Sequence, residues 1–164
     1  MVSMRHSPSS HLFVVHAQDQ TAAAQRLSVL GRVQPLAGAG ALLLTLPAAG
    51  DARSLWSRAR EAVGPAGTVQ PVLLDEDGGP HYPTGEVSVR FLEAPGEEEL
   101  RRFAARHGLR LVRRNEFVPQ QAVFQPLDSS GSYLPELVEK LEGEKGTRAA
   151  WANTLSRYQR AAVA

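Results

Sequence analysis

The feature that most constrains this chain is an order of elements written twice. Apolar runs, helix-start residues and glycine stops spell β-α-β-β-α-β from His11 to Leu74, and spell it again from Glu86 to Thr154. Each copy is too short to bury a large core alone, so the architecture must be economical: one sheet with its helices laid against it.

In the first copy, His11 to His16 encloses Leu12, Phe13, Val14 and Val15, an unbroken apolar run typical of a buried strand. Asp19 or Thr21 offers an N-cap, Ala23, Leu27 and Leu30 recur at helical spacing, and Gly31 stops the helix. Strands follow at Arg32 to Leu36 and Ala41 to Leu46, joined through Gly38 and Gly40. Asp51 caps a second helix with Leu55, Trp56, Ala59 and Val63 on its inner face. Gly64-Pro65 ends it, and Thr68 to Leu74 is the fourth strand.

In the second copy, Val87, Val89 and Phe91 alternate with Glu86, Ser88 and Arg90, the period of a strand with one buried face. Pro95-Gly96 and three glutamates, Glu97 to Glu99, open a helix whose positive end suits them. That helix carries Leu100, Phe103, Ala104 and His107 on one stripe and closes at Gly108. Strands are expected at Leu109 to Val118 and Gln121 to Leu127, with Arg110 and Arg114 on one face and Arg113 on the other. Ser132 is placed to cap a helix carrying Leu134, Leu137, Val138 and Leu141, with Pro135 tolerated in its first turn. Thr147 to Thr154 is the last strand.

Short connections and right-handed crossovers turn this order into an α+β fold. The expectation is two tandem ferredoxin-like βαββαβ sandwiches, each an antiparallel four-stranded sheet with two helices on one face. The expected divisions are a disordered tail over 1–10, a first half over 11–74, a linker over 75–85, a second half over 86–154 and a C-terminal tail over 155–164. The linker is marked by Asp75-Glu76-Asp77-Gly78-Gly79-Pro80.

Composition removes several function classes. Lysine and arginine total 18 against 17 acidic residues, so no basic surplus exists for a nucleic-acid backbone or an anionic membrane. There is no cysteine, which excludes disulfides, thiolate metal sites and thiol nucleophiles. The longest apolar run, Ala41 to Pro47, is far short of the roughly 20 residues of a membrane span, and Met1 to Ser10 has no signal-peptide core, so a cytoplasmic location is expected.

Catalytic constellations are also missing. The five histidines, His6, His11, His16, His81 and His107, show no HExxH or i, i+4 spacing. Asp75, Asp77 and Gly78 begin like a calcium loop, but Pro80 occupies the sixth position, where that loop needs glycine. Ser129 to Ser132 lacks the GxSxG elbow. Gly38 and Gly40 sit between two strands, the wrong context for phosphate. The paired aromatics that RNA-recognition domains need on their third strands are absent. No enzymatic activity, no cofactor and no metal are expected.

The segment Pro83-Thr84-Gly85-Glu86-Val87-Ser88-Val89-Arg90-Phe91, with Glu97-Glu98-Glu99-Leu100 after it, resembles the opening of the N-terminal prodomains of subtilisin-like serine proteases. Gly108-Leu109-Arg110-Leu111-Val112-Arg113-Arg114, Gln121-Ala122-Val123-Phe124 and the helix from Tyr133 to Glu142 are similar to that family's following strand, strand and helix. The resemblance covers Pro83 to Arg160. In the last strand, relatives read V-x-Y-A-x-P-N where this chain reads Arg148 to Thr154. Trp151 takes the aromatic position and the proline has no counterpart. The first half fits the topology without the motifs.

The resemblance implies an intramolecular chaperone and inhibitor that lays its sheet on a protease and its C-terminal tail in the substrate cleft as an added strand. The expected partner is a protein, a subtilisin-like serine protease or a protease-like one, with self-association also allowed. Partner contacts are expected from Glu86, Ser88, Arg90 and Val123 on the sheet, and from Leu155, Tyr158 and Arg160 in the tail. The alternatives are an interaction or scaffold protein, and a sensor holding a small molecule between its halves.

Overall fold

In a computed structural model, which describes residues 6–36, 40–47, 50–128 and 132–155, the chain is a mixed α+β protein. The described residues form two antiparallel sheets and four α-helices. Two compact units form: Thr84–Asn153 is one, and the residues up to Pro83 together with Thr154 and Leu155 make the other.

The first unit comprises β1 (Ser7–Ala17), α1 (Gln20–Leu27), β2 (Arg32–Leu36), β3 (Ala41–Thr45), α2 (Ala52–Val63), β4 (Gly67–Leu74) and β5 (Pro80–His81), with sheet order β2-β3-β1-β4-β5. The helix starts are where the sequence puts them. The Asp19 carboxylate accepts the Ala22 N–H at 3.0 Å, and Asp51 accepts the Ser54 N–H at 2.9 Å. α1 stops at Leu27, short of the expected Leu30, and the chain then passes β3 at Gly31. A Cβ there would lie 2.3 Å from the Thr45 carbonyl oxygen, so only glycine fits.

Register explains the unbroken apolar run of β1. Phe13 pairs with Leu44, and Val15 with Leu42 and Val69, which gathers one face against Leu27, Leu55, Trp56 and Ala59 of the helices. The Trp56 indole N–H donates to the Val69 carbonyl at 2.7 Å. Val14 points the other way, into a second cluster with Ala41 and Val72, flanked by Leu12, Leu43 and Tyr82. A strand apolar on both sides cannot alternate.

Two boundaries differ from expectation. β1 begins at Ser7, within the expected tail, because Ser7 and Pro8 pair with Leu74 and Leu73 before an irregularity leads to Phe13. Part of the expected linker is ordered too: Asp75 organises a turn by accepting the N–H groups of Asp77 and Gly79, and Pro80–His81 then pairs back on β4.

The second unit takes in β6 (Pro83–Phe91) from Thr84 onward, α3 (Glu97–His107), β7 (Leu109–Arg114), β8 (Gln121–Pro126), α4 (Leu134–Glu142) and β9 (Thr147–Thr154) as far as Asn153, with sheet order β7-β8-β6-β9. Val87, Val89 and Phe91 share one core with Leu100, Phe103 and Ala104 of α3 and Leu134 and Leu141 of α4, so both helices lie on the same face. Phe103 packs edge-on to Phe91 and tilted against Phe124, with ring centroids 5.0 and 5.3 Å apart. Gly108 closes α3 in the left-handed conformation, as its position predicts.

β7 ends at Arg114, four residues before the expected Val118, because the Asn115 carboxamide accepts the N–H groups of Phe117 and Val118 and turns the chain. The cap of α4 is Tyr133, one residue later than expected. The Ser132 hydroxyl donates instead to the Asp128 carbonyl at 2.7 Å.

Candidate partner-binding surface

The face of the second sheet turned away from its helices gathers the residues that alternation assigned to it. Ser88 pairs with Val123 and Arg90 with Gln121, so these lie side by side. The Ser88 hydroxyl donates to the Asn153 Oδ1 at 2.7 Å, which ties β6 to β9, and the Arg90 guanidinium donates to the Gln121 Oε1 at 3.0 Å. Glu86 meets the Arg113 guanidinium at 3.4 Å.

Burial divides the expected contact set. Ser88 is 3% exposed and Val123 6%, so neither offers side-chain surface to a partner, whereas Glu86 and Arg90 are half-buried. Leu155 is also half-buried, its N–H donating to the Tyr82 carbonyl at 3.0 Å. Tyr158 and Arg160 lie outside the described residues.

A bulge changes the arginine arrangement. Leu111 pairs with Phe124, but Arg113 pairs with Val123, which leaves Val112 as the extra residue of β7. Arg110, opposite Gln125, and Arg113, opposite Val123, therefore share the face away from the helices, and Arg114 crosses to the other. Strict alternation predicts the reverse for Arg113 and Arg114, and no residue type in the strand signals the slip. Arg114 is put to structural use, donating to the carbonyls of Pro95 at 2.7 Å and Pro119 at 3.3 Å.

The remaining polar clusters hold structure together. Asp75 is kept below the usual carboxylate range, first by its hydrogen bond to His81, 2.9 Å away, and then by the Gly79 N–H. The His6 ring lies 4.5 Å from that of His81, and burial, followed by the His81 charge, lowers its pKa. Glu144 is held low chiefly by its hydrogen bond to Arg106 at 2.6 Å, with His107 3.3 Å from its other oxygen. His16 Nε2 lies 3.1 Å from the Pro83 carbonyl oxygen. Among the described residues no group of three histidine or acidic side chains is arranged to hold a metal ion, and no helix is long and apolar enough to cross a membrane.

No family model matches the chain. No curated protein matches it either.

Proposed function

We propose that this chain is a non-catalytic binding module of the subtilisin-prodomain kind, built from two ferredoxin-like units, whose second unit engages and inhibits or chaperones a subtilisin-like serine protease. The observation that carries the proposal is the Pro83 to Phe124 motif series falling on a unit with strand order β7-β8-β6-β9. In element terms that is second, third, first, fourth, the order of a ferredoxin-like sheet. The first unit repeats the order as β2-β3-β1-β4 and appends β5.

Physical chemistry supports a binding role on two counts. The sheet face away from α3 and α4 carries Glu86, Arg90, Arg110 and Arg113, a mixed-charge set that suits a partly polar interface. The second is a proposed contact of the tail, which follows the terminal strand β9 in sequence and would add to a partner's sheet by main-chain pairing. Enzymatic, cofactor and metal roles form no part of the proposal.

The test is inhibition of a subtilisin-like protease by the purified full chain. Dose-dependent inhibition that weakens at least about ten-fold when residues 156–164 are deleted is the expected result. Absence of both inhibition and binding across a panel of such proteases refutes the proposal.

A further inference from the structure

The edge of the second sheet at β7 carries two different chemistries on its two sides. On the helix side, a groove of about 590 Å³ runs between α3 and β7, walled by Leu100, Ala104 and Ala105 from the helix and by Leu109, Leu111 and Leu127. Leu127 is 70% exposed and Leu111 38%, so the groove opens apolar surface to solvent. On the other side stand Arg110 and Arg113, both exposed, brought onto one face by the bulge at Val112. β7 is the terminal strand of its sheet, so among the described residues its outer main-chain groups face no neighbouring strand.

We propose that this edge is a docking site for an extended segment of a partner protein in which apolar and acidic residues alternate. A strand laid beside β7 sends successive side chains to opposite faces. One set enters the groove beneath α3, and the other meets Arg110 and Arg113. The period of the ligand is thereby matched to the two chemistries of the edge.

Charge selects the acidic class. Arg101, 3.5 Å from Glu98, and Arg114, bonded to the Pro95 and Pro119 carbonyls, also border the groove, with Glu97 the carboxylate among its lining residues. The Arg113–Glu86 contact is long, at 3.4 Å, and exposed, so it is exchanged for a partner's carboxylate at little cost. A second copy of this chain is a poor occupant, because antiparallel pairing of β7 with itself sets Arg110 and Arg113 of one copy against those of the other. The bulge restricts regular main-chain pairing to the stretch before Arg113, so side-chain contacts set the preference. The site is independent of whether the partner is a protease.

The experiment uses the full chain and short fluorescein-labelled synthetic peptides that alternate valine with glutamate or valine with lysine, followed by fluorescence anisotropy at low salt. The glutamate peptide is expected to bind at least about ten-fold more tightly than the lysine peptide. The double variant Arg110→Glu, Arg113→Glu is expected to reverse that order, and Leu111→Glu to weaken the glutamate peptide about ten-fold. Amide chemical-shift changes should centre on residues 109–114 and α3. No binding of the glutamate peptide, equal binding of the two peptides, or a preference unchanged in the double variant overturns the proposal. Both arginines are exposed, so the double variant decides the matter even if Leu111→Glu fails to fold.

Discussion

Phe124 is the most informative place to test how the second unit is held together. Its side chain is completely buried on β8, under Phe103 and among Val87, Leu100 and Leu134. The unit has about 70 residues, which at roughly 0.05–0.15 kcal/mol per residue gives it about 3.5–10 kcal/mol of stability. Truncating a buried phenylalanine to alanine costs about 3–5 kcal/mol, the lost transfer free energy plus the cavity left behind. Phe124→Ala should therefore remove roughly a third or more of the unit's stability, and unfold it if that stability lies at the low end of the range. Phe124→Leu keeps most of the apolar volume and forfeits the ring contact, a loss of about 1–2 kcal/mol. That converts to a fall of roughly 5–15 °C in the unit's melting temperature, since each kcal/mol shifts a domain of this size by about 4–8 °C. Amide hydrogen exchange at Val87 and Val89, which pair with β8, reads the opening free energy of this unit directly. A loss below about 0.5 kcal/mol for Phe124→Ala would show that Phe124 is not where the unit's stability resides.

Three further outcomes follow from named contacts. Gly31→Ala should destabilise the first unit by about 2 kcal/mol or more, because its Cβ would meet the Thr45 carbonyl oxygen at 2.3 Å; a neutral denaturation midpoint would contradict the close approach. Ser88→Ala removes the donor to Asn153 and should cost about 1 kcal/mol by urea titration, a loss that Asn153→Ala should not add to. The folded-state pKa of His6 lies below its ordinary 6.5, so protons bind the unfolded chain preferentially and stability should decline as pH falls below 6.5 toward the folded value. Asp75 and Glu144, shifted downward, lose their contributions only at lower pH, as it falls through their folded-state values. His6→Gln should flatten the decline below pH 6.5, and a slope unchanged in that variant would assign it to another group.

Much of the local structure was legible because each signal is carried by a few adjacent residues. The alternation of β6, the caps at Asp19 and Asp51 and the closing glycine of α3 all depend on neighbours within one turn or one strand. Features that depend on distant partners were not. Ser7 and Pro8 have poor strand propensity and become strand only because Leu73 and Leu74 lie beside them. Pro80–His81 is recruited in the same way, through the turn that Asp75 builds. The same limit applies to the candidate surface. Alternation grouped Glu86, Ser88 and Arg90 on one face, with Val123 expected beside them, yet Ser88 and Val123 are buried there, which no periodicity shows. Asn153 and Gln121 escaped notice because their role is to answer Ser88 and Arg90 across the sheet, and the bulge at Val112 moved Arg113 without leaving a mark in the sequence.

The two central strands differ in how much chemical change they can absorb. In β6, Glu86 and Arg90 are half-buried on the face away from the helices and accept polar substitutes, while Ser88 between them is closed off from water and bonded to Asn153. In β1, Phe13, Val14 and Val15 are all closed off from water, with one cluster on each side of the strand. A saturation scan should therefore show an intolerant, purely apolar block at 13–15, and tolerance at 86 and 90 on either side of a closed stretch at 87–89. Variation entering these two strands would be channelled to positions 86 and 90, while the centres of both strands stay fixed.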